Sequence, residues 1–368
     1  MFVVHFHVRS TDPGGFDEVI RTLVWRLVET KSHGTFALLF GAGFAIQLRR
    51  SEERHERFAG RYLRRLAVLA LFGFVAHACF GYNVLLGYAL WGVPLLLMRT
   101  WSTRTLLVIA ALSAASLPFY HLAAAWVVQL SAGPDGVTVM RQAQQTLAAQ
   151  VNEAVAVAEA QTSYAALFAA RLRHMAWFYS QPFFCLPNAT LTLFIVGFLL
   201  VRHRIFEHVR AHRRVLSAMI VFGVVAWLAD NWFFDLWDVP FIGVLRDQWL
   251  TFAYVAAALL AMAHWPALVQ LLRAVANAGR MALTNYLLQI ATLDLLFSGY
   301  AIGLGQIRPV FGLVAALGCF VAEAAFSTIW LKHFRFGPAE WFWRSLTYGR
   351  WQPMRRGAPV AAAETIPA

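Results

Sequence analysis

The sequence predicts an all-α polytopic transmembrane helical bundle, and three observations carry that prediction. The chain is 60% hydrophobic and only 14% charged, where soluble domains carry about 25% charged residues. Apolar stretches near the ~20 residues needed to cross hydrocarbon recur from end to end. The basic residues gather in a few short segments between those stretches. A net charge of +12 would point a soluble protein toward nucleic acid; confined to short loops between spans, it reads as topology, and no nucleic-acid partner is expected.

Met1 to Val8, MFVVHFHV, is apolar but too short to span or to act as a signal peptide, and reads as the end of a helix that begins earlier. Phe16 to Lys31 sets Val19, Ile20, Leu23, Val24, Leu27 and Val28 at helical spacing among charged residues. That pattern predicts an amphipathic helix on the membrane surface. Span 1 is expected over His33 to Leu48, followed by the basic loop RRSEERHERFAGRYLRR, Arg49 to Arg65. Span 2 covers Leu66 to Phe80, a reversal falls at Gly81-Tyr82-Asn83, and span 3 covers Val84 to Met98. Thr105 to Leu130 forms span 4, with Pro118 able to kink it.

Ser131 to Tyr179 departs from the pattern, being rich in Ala, Gln and Val with interspersed charges, and is expected to be an extracytoplasmic helical insertion. Span 5 is Leu186 to Val201, and a second basic loop, RHRIFEHVRAHRR, runs from Arg202 to Arg214. Span 6 is Val215 to Leu228, and the acidic, Trp-bearing segment Asp230 to Gln248 suits an outer interface. Spans 7, 8 and 9 follow at Trp249 to His264, Met281 to Tyr300 and Ile307 to Leu331. The organisation expected is an N-terminal membrane half over 1–130, the insertion over 131–180, a C-terminal membrane half over 181–356 and a disordered tail over 357–368.

Nine visible spans alternate so that segments 49–65, 99–104, 202–214, 265–280 and 332–368 share one side, with 22 of the 31 Lys and Arg and six acidic residues. The other side holds nine basic and eleven acidic residues. Because translocating Lys and Arg is unfavourable, the basic side is expected to be the cytoplasm of a bacterial inner membrane, with the C-terminus inside. A helix preceding Met1 would bring the count to ten and return the N-terminus to the cytoplasm. Cys79, Cys185 and Cys319 form no metal or redox spacing and read as small buried apolar residues.

Four stretches now carry a resemblance. TFALLFGAGFAIQLRR (Thr35 to Arg50) and RYLRRLAVLALFGFVAHACFGYNVLLGYAL (Arg61 to Leu90) resemble the first half of bacterial inner-membrane proteins of the domain of unknown function 418 family. GRMALTNYLLQ (Gly279 to Gln289) and GPAEWFWRSLTYGRWQPMRR (Gly337 to Arg356) resemble its C-terminal half. The chain lacks the complete first helix and preceding Arg-Gly motif usual in that family, and has Asn83 where the family commonly carries Asp. The family is grouped by distant similarity with transmembrane acyltransferases. The resemblance therefore implies transfer of an acyl group from cytoplasmic acyl-CoA to an envelope glycan or lipid acceptor. This is analogy at the level of fold, which does not fix function.

Such chemistry needs a base for the acceptor hydroxyl, and His suits it because it titrates near neutrality. His77, inside span 2, reads either as that base or as a neutral interhelical hydrogen-bonding group. His5 and His7 sit where a first helix would emerge on the outer face, near the position at which related acyltransferases place a His; the plainer reading is polar residues wetted at a helix end. Asp294 and Glu323 are the two carboxylates expected within hydrocarbon, each in need of a partner and able to orient a His or relay a proton. Arg61, Arg64 and Arg65 offer guanidinium forks for the phosphates of acyl-CoA, although such clusters also follow positive-inside placement and attract anionic lipids, and for any single arginine the topological reading is the stronger. Asn285 and Gln289 share one helix face and read as interhelical contacts. The competing function is a transporter or lipid- or solute-handling protein, with Asp294, Glu323 and His77 lining a path. Membrane lipids are expected partners in either case, and the sequence leaves self-association into a homo-oligomer open.

Overall fold

The computed structural model describes residues 15–81, 83–229 and 248–356. Helices α1 (Phe16–Val24), α2 (Thr30–Glu53), α3 (Phe58–Phe80), α4 (Leu85–Met98) and α5 (Thr103–Ala160) form the first part. Helices α6 (Tyr164–Tyr179), α7 (Pro182–Cys185), α8 (Ala189–Arg202), α9 (Arg213–Ala229) and α10 (Trp249–His264) come next. Helices α11 (Pro266–Leu271), α12 (Arg273–Arg280), α13 (Ala282–Phe297), α14 (Pro309–His333) and α15 (Pro338–Tyr348) complete the chain. Among the described residues there is no strand, only an isolated antiparallel bridge between Phe334 and Arg355.

Among the described residues four stretches, Phe58–Phe80, Thr103–Ala160, Pro182–Arg202 and Pro309–His333, are long and apolar enough to cross a membrane, and three shorter apolar helices accompany them. A helix satisfies its own backbone, which hydrocarbon cannot do. Leu71, Leu97, Leu107, Val221, Phe311, Val314 and Val321 all face outward. Apolar surface on that scale suits lipid and not water. The chain is a helical membrane bundle, and each expected span lies on one of α2, α3, α4, α5, α8, α9, α10, α13 and α14.

The centre is the contact of α2 with α8. A Cβ at Gly41 would collide with the carbonyl of Phe194, and one at Gly197 with the carbonyl of Leu38, so the two backbones touch. Beside them Phe40 stacks on Phe194 at 4.6 Å between centroids, and Phe44 meets Phe198 edge-on at 5.4 Å. Phe44, Phe194, Leu38, Leu95, Leu106 and Ile195 are fully buried around this contact.

Two expectations change at the ends of spans. The predicted surface helix is not separate from span 1: a π-helical turn, Trp25–Glu29, joins α1 to α2. Its inner face is buried, with Asp17 ion-paired to Arg308 at 2.7 Å. The insertion begins as a continuation of span 4, because α5 runs on past residue 130 to Ala160. A break at Gly133, φ 75°, divides α5 into two arms. The second arm ends against the bundle, where the Gly299 amide donates to the Glu159 carbonyl at 2.8 Å. Cys185, expected to be buried, is exposed, while Cys79 and Cys319 are half-buried. The Asp230 to Asp247 segment and the tail over 357–368 lie outside the described residues.

The basic segments meet at one end. Arg49 pairs with Glu207, Thr103 Oγ1 lies 3.1 Å from His203 Nε2, and Arg202 donates to the Trp101 carbonyl at 2.6 Å. Helix α15 folds back on α3, where Trp343 Nε1 donates to the Arg65 carbonyl at 3.0 Å. Its Glu340 accepts from the Leu283 and Thr284 amides at 2.6 and 3.0 Å, capping α13 from another helix.

Candidate functional site

Opposite the basic end, α6 of the insertion lies across the ends of α3 and α13. Leu167, Ala170, Arg171, His174 and Phe178 recur at spacings of three and four and so share one face. Leu167 and Ala170 bury themselves with Ala158 and Tyr300. The same face carries Arg171 and His174 into the gap between α3 and α13.

His77 is fully buried at the last turn of α3. Its Nε2 lies 3.3 Å from Nδ1 of His174, and the His174 ring stacks on Phe178 at 5.6 Å. Only one nitrogen of that pair can carry the shared proton, so the pair couples two imidazoles through one hydrogen bond. Burial holds the His174 imidazole below its ordinary value and so favours its neutral form.

One turn before His174, Arg171 is 3% exposed. Its guanidinium donates to the carbonyl of Cys79, two residues beyond His77, and to Oδ1 of Asp294. Glu159 lies 3.9 Å from the same guanidinium. Asp294 also accepts from Ser298 Oγ at 2.8 Å and from the Tyr300 hydroxyl at 2.6 Å. In that last bond the phenol is the donor and the carboxylate the acceptor. One cation and two carboxylates therefore sit in a closed network of donors, with the histidine pair beside it.

The sequence-level candidates separate. His77 and Asp294 come to the same end and are linked through α6. Glu323 goes elsewhere: it accepts from Gln289 Nε2 at 2.8 Å and has no bond to Asp294. Asn285 reaches Ser327 Oγ at 3.0 Å, as expected of an interhelical amide. Glu323 thus stands apart from the end at which His77 and Asp294 meet. His5 and His7 lie outside the described residues. Asn83 is structural, donating to the Gly73 carbonyl at 3.0 Å and accepting from the Leu85 amide at 3.1 Å. Among the described residues no group of His, Cys, Asp and Glu is placed to hold a metal ion.

Sequence reasoning passed over Arg171, His174, Glu159 and Tyr300 as members of a site. The available signal was the period of α6, which places Arg171 and His174 on its apolar face instead of its wet one. At the opposite end, Arg61 and Arg65 line a cavity of about 200 Å³ together with Arg50, Arg54 and Arg344. Arg64 turns away and donates to the Thr347 carbonyl at 3.5 Å.

The chain is 28% identical over 338 residues to the uncharacterized protein YxaH of Bacillus subtilis, covering 90% of this chain and 83% of that one. It is 27% identical over 363 residues to an uncharacterized 39.9 kDa protein of Bacillus acidopullulyticus, covering 92% and 86%. It is 37% identical over 147 residues to the uncharacterized protein YeiB of Escherichia coli, 38% of each chain. No solved structure matches. The stretch that matches a family model lies in the C-terminal half, where GRMALTNYLLQ and the α15 motif build the capped start of α13: residues 200–350 match the model of a family described as protein of unknown function, DUF418.

Proposed function

We propose that this chain is a bacterial inner-membrane acyltransferase, with its basic end and C-terminus in the cytoplasm. It moves an acyl group from acyl-CoA to a hydroxyl of an envelope glycan or lipid at the opposite face. The observation that carries this reading is the pair of buried His77 with half-buried His174, 3.3 Å between nitrogens, beside the Arg171–Asp294 network.

A neutral imidazole of the pair takes the acceptor's hydroxyl proton as the oxygen attacks the thioester carbonyl. The carbon–sulfur bond breaks, and the thiolate leaves with that proton, regenerating the imidazole. Arg171, held on Asp294 and the Cys79 carbonyl, positions α6 and with it His174. Twelve residues separate Arg65 from His77 on α3, ~18 Å at 1.5 Å per residue. An extended thioester arm has that distance to bridge between the two ends.

The test is acyl transfer from radiolabelled acetyl-CoA by the full chain in liposomes, assayed against envelope extracts. His77→Gln and His174→Gln should each lower the rate about a hundredfold, the range lost with a general base. Transfer that proceeds at the parental rate in both folded variants refutes the assignment, as does a parental protein that neither transfers nor hydrolyses acetyl-CoA.

A further inference from the structure

We infer that the arginine cavity at the basic end is a binding site for a phosphate-bearing ligand. Arg50, Arg54, Arg61, Arg65 and Arg344 line it, with Glu56 as the carboxylate among its lining residues, already paired to Arg61. Four positive charges are thus left without a carboxylate in one small cavity. Arg50 and Arg54 stand exposed at its mouth and have no ion pair among the described residues.

The inner wall separates this site from ordinary loop charge. Positive-inside placement requires only that arginines stay on one side; it does not bury them. Arg65 lies over the Trp343 ring at 3.9 Å, and Arg344 over the Phe336 ring at 4.5 Å. Both are partly buried, and Arg344 Nε is buried without a hydrogen-bond partner among the described residues. Stacked rings fix the guanidinium planes while leaving their edges free to donate. Holding like-charged donors together with an unmet N–H is unfavourable until an acceptor with several oxygens shares them. Phosphate is that acceptor, since a planar fork binds two of its oxygens at once.

The ligand is a phosphate compound in solution or the phosphate of an anionic lipid headgroup, and the experiment separates the two. The full chain in neutral phosphatidylcholine nanodiscs is titrated calorimetrically with inorganic pyrophosphate. Saturable binding is expected, weakened about tenfold or more by Arg344→Gln and by Arg65→Gln. Arg344→Lys keeps the charge without the fork and should weaken binding less than Arg344→Gln. Arg210→Gln should change nothing, because Arg210 donates to the Ala263 carbonyl away from the cavity. Repeating the titration in discs containing phosphatidylglycerol assigns the ligand: weakened pyrophosphate binding there means a lipid headgroup competes, and unchanged binding means a soluble compound. Absence of pyrophosphate binding to parental protein in neutral discs overturns the site. So does parental affinity in Arg344→Gln that unfolds at the parental temperature. The inference does not require acyl transfer: a chain that binds pyrophosphate here but transfers nothing keeps this site and loses that reading.

Discussion

Arg171, on a helix outside the bundle, donates to Asp294 near the end of the helix that most needs a counter-charge. Arg171 is 3% exposed and the Asp294 side chain 0%. Each answers the other's burial, since a lone buried charge costs far more than a paired one. The insertion is thereby fastened to the bundle through a charge the membrane would otherwise reject.

Removing one partner should therefore be far worse than removing both. Arg171→Met or Asp294→Leu alone should destabilise the chain by about 3–5 kcal/mol, the usual cost of stranding a buried charge. The double variant should recover much of that. Thermal unfolding of the four proteins in detergent gives the cycle, and additive losses would show that the two charges do not depend on each other.

Acidification should loosen the same end. Burial holds the His174 imidazole below its ordinary 6.5, so the unfolded chain takes up a proton that the folded chain resists. Its contribution is intact above about pH 6.5 and is lost as pH falls toward the folded value. The unfolding temperature should drop between pH 7.5 and 5.5, and His174→Gln should flatten that slope. His77 faces the ring through the shared hydrogen bond, with Trp177 and Phe178 beside it, so the difference between parent and variant is the quantity to read.

At the bundle centre, Gly41→Ala tests backbone contact against helix propensity. Alanine is favoured over glycine in a helix by about 1 kcal/mol, but here the added methyl meets the Phe194 carbonyl. Overpacking should win, with a net loss of about 1–3 kcal/mol in thermal unfolding. Gly60→Ala, with open space around its position, should lose nothing and is the control.

Orientation is tested at the same open position. With Cys79, Cys185 and Cys319 replaced by serine, Gly60→Cys should resist an impermeant maleimide added to intact cells and react once the inner membrane is opened. Labelling in intact cells would place the basic end outside and invert the proposed topology.

The bundle was legible because its two signals are additive along the chain. Apolar length marks where helices cross, and the placement of Arg and Lys marks which ends belong together; the structure joins those basic ends through Arg49 with Glu207 and Trp343 with Arg65. His77 and Asp294 could be marked as buried polar groups for the same reason, because hydrocarbon makes each conspicuous alone. What they touch was not legible. Arg171 lies 123 positions from Asp294, and His174 lies 97 from His77.

The amino-acid order by itself determined a helical membrane bundle, its charge-segregated ends and two of its buried polar groups, since hydration energy acts on each residue where it stands. Only the folded arrangement decided that the insertion returns at Gly133, that Arg171 and His174 complete one end, and that Glu323 keeps a separate partner. Those outcomes depend on which distant surfaces fit against one another, and packing between segments leaves no periodic trace in either of them.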